Sequence, residues 1–66
     1  MEKDYVACMK SEYESLSGKI DKLEKFFETD DYKVLSEQKQ NLICAQYGAM
    51  VSYRHILMER IRVESL

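Results

Sequence analysis

The chain has 66 residues, of which 33% are charged, with a net charge of −2, two cysteines, two glycines and no proline. A chain of this length can form one small domain. Folding costs roughly 1.5 kcal/mol per residue in conformational entropy, and the small apolar interior of such a domain barely offsets this cost. Two cysteines and one histidine are too few for a structural zinc site, and no apolar run approaches the roughly 20 residues that cross a bilayer, so we expect stability to come from association between subunits.

The two cysteines, Cys8 and Cys44, are far apart, belong to no CxxC motif and follow no signal peptide. We therefore predict reduced thiols in a cytosol. Cys44 and His55 are eleven residues apart on one predicted helix, about 16 Å by helical rise, and so cannot form a dyad within one chain. Cys44 is expected to be a small core residue and His55 a surface imidazole.

The first predicted helix covers about residues 4–28 and has one narrow apolar stripe. Its apolar positions are spaced alternately by three and four residues, which is an unbroken a/d heptad pattern. These positions are Val6, Met9, Tyr13, Leu16, Ile20, Leu23 and Phe27. The segment is therefore predicted to pack along one seam.

The stretch 28–37 interrupts the helical pattern. Asp30 or Asp31 is expected to cap a short helical turn at about 31–35, and Ser36 to cap the second long helix, at about 37–63. Together these elements predict a single all-α domain over residues 1–66, an antiparallel two-helix hairpin with a short connecting helical turn.

The second helix carries too many apolar residues for one seam. One flank holds Leu42, Ala45, Ala49, Ile56 and Val63, and the other holds Ile43, Tyr47, Met50, Leu57 and Ile61. A face this broad is typical of a helix with more than one neighbour. We therefore predict that the hairpin assembles into a helical homo-oligomer through this helix. The expected interface residues are Gln46, Ala49, Met50, Tyr53, Leu57, Arg60 and Ile61.

Between the two flanks, Gln46, Tyr53 and Arg60 recur every seven residues. They form one polar column along the helix. One interpretation is a polar layer that fixes the pairing of helices, since an unpaired buried polar group costs about 1–3 kcal/mol. The other is a ligand site, and the sequence leaves both open.

The sequence contains no set of residues typical of a catalytic nucleophile and its base, no phosphate-binding loop and no metal-binding motif. We therefore predict a binding function rather than a catalytic one. Tyr47 and Arg54 are seven residues apart, as are Tyr53 and Arg60, so each pair can place an aromatic ring near a guanidinium. Lys19 and Lys22 on the first helix add positive charge. These six are the candidate ligand-binding residues, although the tyrosines alternatively fill the bundle with their hydroxyls at its rim. No metal or cofactor is expected.

The charge is uneven along the chain. Residues 1–37 hold ten acidic residues against six lysines, and residues 38–66 hold four basic residues against two glutamates. A nucleic-acid binder would usually carry a strong basic patch, so nucleic acid ranks last among the possible partners.

Two motifs carry a resemblance to a known family. "LSGKIDKLEKF" (16–26) and "QYGAMVSYRHILMERI" (46–61) follow the pattern LxxKIxKLxxF and then QxxxMxxYxxILxxRI. The chain resembles a family of small helical-hairpin proteins of tailed bacteriophages and prophages. The resemblance implies a phage protein in the host bacterial cytosol, and its layout is similar to phage sponges that sequester cyclic nucleotide signals, among them anti-CBASS proteins.

Two functions are therefore expected. The first is a non-enzymatic, oligomeric sponge that sequesters a cyclic nucleotide or related immune signal at its subunit interfaces. The alternative is a protein interaction module that inhibits or scaffolds a host or phage protein, such as a host defence protein, through an exposed helix face. Neither function involves a membrane.

Overall fold

The computed structural model describes residues 4–66 as three helices. They are α1 (Asp4–Phe27), α2 (Asp30–Lys33) and α3 (Glu37–Glu64). The two long helices pack against each other, and α2 joins them. The molecule is a rod of about 49 × 15 × 13 Å. The predicted all-α hairpin is confirmed, and the helices begin and end close to the predicted residues. Residues 1–3 of the predicted domain lie outside the described part.

The α1 side of the core is the predicted heptad stripe. Val6, Met9 and Ile20 are buried, and the other members of the stripe are half-buried. The spacing of three and four residues keeps these side chains on one face of the helix. The seam that the sequence predicted is therefore the surface that α1 presents to α3.

Helix α3 presents a matching seam. Eight of its less exposed positions recur with the same alternation of three and four residues: Gln40, Ile43, Tyr47, Met50, Arg54, Leu57, Ile61 and Glu64. Val51 and Glu59 are also half-buried but lie outside this series. Leu57 is the only fully buried side chain of α3, and it packs with Val6 and Met9. This seam is the second of the two predicted flanks. Helix α1 covers it, which leaves the first flank exposed.

Three of the predicted interface residues therefore serve the hairpin itself. Leu57 has no exposed surface, and Met50 and Ile61 are half-buried in the same seam. They were expected between subunits, but packing against α1 leaves Leu57 no surface for a second chain. Gln46, Ala49, Tyr53 and Arg60 are exposed on α3. Those four remain available to a partner.

Both helices that begin after α1, the short α2 and the long α3, have a side-chain cap at their N-terminus. The hydroxyl of Thr29 accepts a hydrogen bond from the amide of Tyr32, so Thr29, rather than Asp30 or Asp31, caps α2. The two aspartates instead occupy the first turn, where their charge complements the helix dipole. Ser36 caps α3 as predicted, and its hydroxyl accepts a hydrogen bond from the amide of Lys39.

Removal of the Ser36 cap should weaken the fold. Ser36→Ala leaves the Lys39 amide without its side-chain acceptor, so we expect a loss of about 1 kcal/mol in the free energy of unfolding. Urea unfolding followed by circular dichroism measures this loss. Ser36→Asp, which keeps an acceptor, is the control, and equal stability of the alanine and aspartate variants would contradict the prediction.

An aromatic cluster joins the connector to the hairpin. The ring of Phe27 makes edge-to-face contacts with the rings of Tyr32 and Tyr47, with centroid distances of 5.0 Å and 5.4 Å. The side-chain amide of Gln40 donates to the carbonyl of Tyr32 at 2.9 Å. These contacts hold α2 against the closed end of the hairpin, and such aromatic pairs typically contribute about 0.5–1.5 kcal/mol beyond area burial.

The cysteines are free thiols, as predicted, but both are exposed. Cys44 was expected in the core. It lies outside the α3 seam, and its sulfur instead lies 3.3 Å from the hydroxyl of Tyr32. None of the helices in residues 4–66 is apolar over a length sufficient to cross a membrane.

Candidate functional site

The polar column on α3 lies at the edge of the contact between the two long helices. The hydroxyl of Tyr53 donates to a carboxylate oxygen of Glu12 at 2.6 Å, across the hairpin. Gln46, Tyr53 and Arg60 are all exposed. The column is therefore not buried within the hairpin, and its central member is tied to α1.

Helix α1 carries a matching column that the sequence analysis missed. Tyr5, Glu12, Lys19 and Phe26 recur every seven residues, so they share one side of α1. The Glu12–Tyr53 bond places this side next to the polar column of α3. The recurrence of these residues every seven positions was the sequence signal from which the proximity of the two columns could have been predicted.

A groove between these columns is the candidate functional site, which we call the lysine groove. Its volume is about 290 Å³. It is lined by Lys19, Lys22, Leu23, Phe26, Gln46 and Met50. Two predicted ligand-binding residues and one member of the polar column thus meet in one place, beside an aromatic ring.

The lysines of this groove carry uncompensated charge. Within residues 4–66, neither Lys19 nor Lys22 has an ion pair with an acidic side chain. Two ammonium groups that lack a carboxylate partner attract anions, and a groove wall of low polarity strengthens that attraction. The arrangement is suited to bind a negatively charged group near Gln46 and Phe26.

The other candidate residues lie elsewhere. Arg54 lines a separate groove of about 370 Å³ with Tyr13, Val51, His55 and Met58. Tyr47 lies in the α3 seam, and its hydroxyl donates to Glu24 at 3.1 Å. Arg60 lines a third groove near the end of α3, with Ile56, Glu59 and Val63 among its neighbours. One chain therefore does not bring all six candidates into a single site.

The tyrosine hydroxyls are held in their neutral form. The hydrogen bond to Glu12 is the main cause that raises the pKa of Tyr53 above the usual 10.0, and the same effect of Glu24 raises the pKa of Tyr47. A carboxylate acceptor opposes ionisation of the phenol, whereas nearby Arg60 and Arg54 act weakly in the opposite direction. Both tyrosines were predicted ligand contacts, and in the hairpin both hydroxyls already have acceptors.

These bonds should appear in an alkaline titration. Because the pKa of Tyr53 is raised on folding, its bond stabilises the fold fully below the unfolded pKa, near 10, and this contribution is lost as pH rises through the higher folded pKa. We expect ultraviolet titration to show tyrosines that ionise later than free tyrosine. Glu12→Gln should bring one of them closer to the usual pKa, and Glu14→Gln, a neighbouring exposed acid, is the control. An unchanged titration curve in Glu12→Gln would contradict the assignment.

No group of three or more potential metal ligands is clustered within residues 4–66. The candidate site is instead a groove of cationic, amide and aromatic side chains.

Comparison with known proteins places the chain in a family. The profile of the Sequestin family matches residues 3–63. The chain is also 39% identical over 57 residues to a protein of Enterobacteria phage T4, described as an uncharacterized 7.5 kDa protein in the denB–rIIB intergenic region; the match covers 86% of this chain and 89% of the relative. No solved structure gives a significant match. The predicted membership of a small phage protein family is supported, and the chain belongs to the Sequestin family.

Proposed function

We propose that this protein sequesters a phosphate-bearing nucleotide signal of a host defence system and holds it without converting it. The observation that carries the proposal is the lysine groove, in which Lys19 and Lys22 lack acidic partners and lie beside Phe26 and Gln46. This is a set of side chains that complements a phosphorylated base.

Each group of the groove has a role in such a complex. The two ammonium groups bind phosphate oxygens as point charges. The aromatic ring of Phe26 offers a surface to a base, and stacking of this kind is worth about 1–3 kcal/mol per base. The side-chain amide of Gln46 both donates and accepts hydrogen bonds, so it can contact a base edge.

The comparisons support this class of function in general terms. The family name refers to sequestration, and the relative described above is a phage protein. A phage protein that captures a host signal acts by stoichiometry rather than by turnover, so it requires tight binding and no catalytic group. The nature of the ligand is part of the proposal.

Native mass spectrometry with a panel of cyclic di- and trinucleotides and ADP-ribose derivatives tests the proposal. We expect one class of ligand to be retained intact at a fixed stoichiometry. Lys19→Glu combined with Lys22→Glu should abolish retention, whereas Lys39→Glu, a lysine on another part of the surface, should not. Retention of no ligand by the parent protein, or equal retention by both variants, would overturn the proposal.

The exposed apolar flank of α3 favours a second candidate function. Leu42, Ile56 and Val63 remain 65%, 52% and 54% exposed in the hairpin. Such a flank suits a helix-in-groove contact with a host or phage protein. Capture of one partner at equal stoichiometry, and its loss in Ile56→Glu, would support this candidate; a parent protein that captures nothing would count against it.

A further inference from the structure

A second groove lies between the two long helices, away from the lysine groove. Its volume is about 370 Å³, and we call it the arginine groove. On α3, Val51 and Met58 of this groove lie about 140–160° around the helix from Tyr53, the central member of the polar column. Ile56 of the exposed apolar flank is equally far from them. The arginine groove is therefore a separate surface, which the functions proposed above do not use. It is lined by Tyr13, Val51, Arg54, His55 and Met58.

Arg54 is the cation of this groove. Its side chain is half-buried in the α3 seam, yet it has no ion pair with an acidic side chain of residues 4–66. Partial removal of a guanidinium from water is unfavourable without a partner, and an anion that binds to it offsets this cost. The groove is thus suited to an anionic ligand rather than to a neutral one.

Within residues 4–66, Tyr13 lacks the carboxylate partner that three other tyrosines of the long helices have. The hydroxyls of Tyr5, Tyr47 and Tyr53 each donate to a glutamate of the opposite helix. The hydroxyl of Tyr13 instead donates to the sulfur of Met58 at 4.0 Å, and a thioether is a weak acceptor. A carboxylate in the groove would accept hydrogen bonds from both the Tyr13 hydroxyl and the guanidinium.

We propose that the arginine groove binds an acidic segment of a partner protein. The carboxylate of a glutamate or aspartate side chain in that segment meets Arg54 and Tyr13. An apolar side chain next to it lies against Val51 and Met58. The proposal does not rest on the lysine groove or on the nature of its ligand.

The charge of the groove favours a carboxylate over a phosphate. Arg54 is the only permanently charged residue among the five that line it. A guanidinium binds a carboxylate through two parallel hydrogen bonds, and the two charges cancel. A phosphate dianion would leave one negative charge without a partner in a half-buried position. The lysine groove has two ammonium groups and therefore the opposite preference.

The rest of the lining favours a segment of polypeptide. Val51 is half-buried and Met58 is 45% exposed, so the wall beside the guanidinium offers apolar surface. A methionine side chain adapts its shape to different apolar partners. The imidazole of His55 is exposed, and it can exchange a hydrogen bond with a peptide backbone. The volume is at the lower end of the roughly 300–1,000 Å³ typical of ligand pockets, which suits one acidic side chain with one apolar neighbour.

Titration of the isotope-labelled protein with capped dipeptides, followed by NMR, tests the class of ligand. Acetyl-Leu-Glu-amide carries both required groups, and acetyl-Leu-Gln-amide lacks only the charge. We expect the first to shift the signals of the Arg54 side chain and of backbone amides 51–58, and the second to bind at least about tenfold more weakly. Acetyl-Leu-phosphoserine-amide should bind no more tightly than the glutamate peptide. Equal binding of the glutamate and glutamine peptides, no shift at millimolar peptide, or tighter binding of the phosphoserine peptide would overturn the proposal.

Substitutions show whether the two donors form the site. Arg54→Gln should weaken binding of the glutamate peptide at least about tenfold, and Tyr13→Phe, which keeps the ring, about threefold. Arg62→Gln is the matched control, because Arg62 is exposed and already bonded to Glu59. It should leave the affinity unchanged. An Arg54→Gln variant that binds as tightly as the parent protein would show that the peptide lies elsewhere.

The stability of the free protein gives a readout that needs no ligand. Because Arg54 is half-buried without an acidic partner, Arg54→Met should raise the midpoint of urea unfolding. Arg62→Met, which removes an exposed bond to Glu59, should not raise it. A lower midpoint in Arg54→Met would mean that the arginine serves the fold of the hairpin, and it would overturn the assignment of this residue to a ligand.

Discussion

Leu57→Ala should leave the protein largely unfolded at 25 °C. Leu57 is the fully buried residue of α3, and it packs with Val6 and Met9 at the centre of the core. Truncation of a buried leucine costs about 2–5 kcal/mol, which is comparable with the whole stability of a domain this small. Circular dichroism across a urea titration should show a large loss of helix before denaturant is added.

Two control variants test whether the loss of stability comes from the buried position of Leu57. Leu57→Met keeps most of the volume and should cost less than about 1.5 kcal/mol. Leu42→Ala makes the same truncation on the exposed flank of the same helix, where little surface is buried in the hairpin. If Leu57→Ala lost no more stability than Leu42→Ala, the packing of α1 on α3 described above would be wrong.

Ile56→Glu should convert the protein into a monomer of about 7.8 kDa. Ile56 lies on the exposed apolar flank of α3, and association through that flank would bury the new carboxylate without a partner. We expect the dissociation constant to rise about 100-fold or more, equivalent to about 2.7 kcal/mol. Sedimentation equilibrium over a range of concentrations measures this change.

Val34→Glu is the control for the added charge. Val34 is 80% exposed and lies between α2 and α3, outside the flank that carries Ile56. It should leave the assembly unchanged. A parent protein that is monomeric at micromolar concentration would contradict the predicted homo-oligomer. An Ile56→Glu variant that assembles normally would exclude the exposed flank of α3 as the contact.

The small core gives a physical reason to expect assembly. Among residues 4–66, only Val6, Met9, Ile20 and Leu57 are buried apolar side chains. Half-buried neighbours add to this core, but most of the α3 surface faces water. Burial of apolar area contributes about 25 cal/mol per Å², so covering the exposed flank of α3 would add stabilisation that the hairpin alone does not have. We therefore expect the same helix to supply both the packing of the hairpin and the contact between copies.

Local sequence signals determined the helices. The a/d spacing of α1 predicted its buried face, because a period of 3.5 residues places every member on one side of a helix. The Ser36 cap predicted where α3 begins, since a serine hydroxyl satisfies an amide that no helical carbonyl can reach. At the connecting segment, the sequence pointed to Asp30 or Asp31 as the cap of α2, whereas the structure places Thr29 in that position.

The tertiary structure decided which flank of α3 is used within the chain. The sequence showed two apolar flanks and a polar column between them, but helical periodicity contains no information about which flank meets α1. Packing assigned Met50, Leu57 and Ile61 to the intrachain seam and left Leu42, Ile56 and Val63 exposed. It also placed Lys19 and Lys22 beside Gln46 and bonded Tyr53 to Glu12, because contacts between distant residues depend on the register of the two helices.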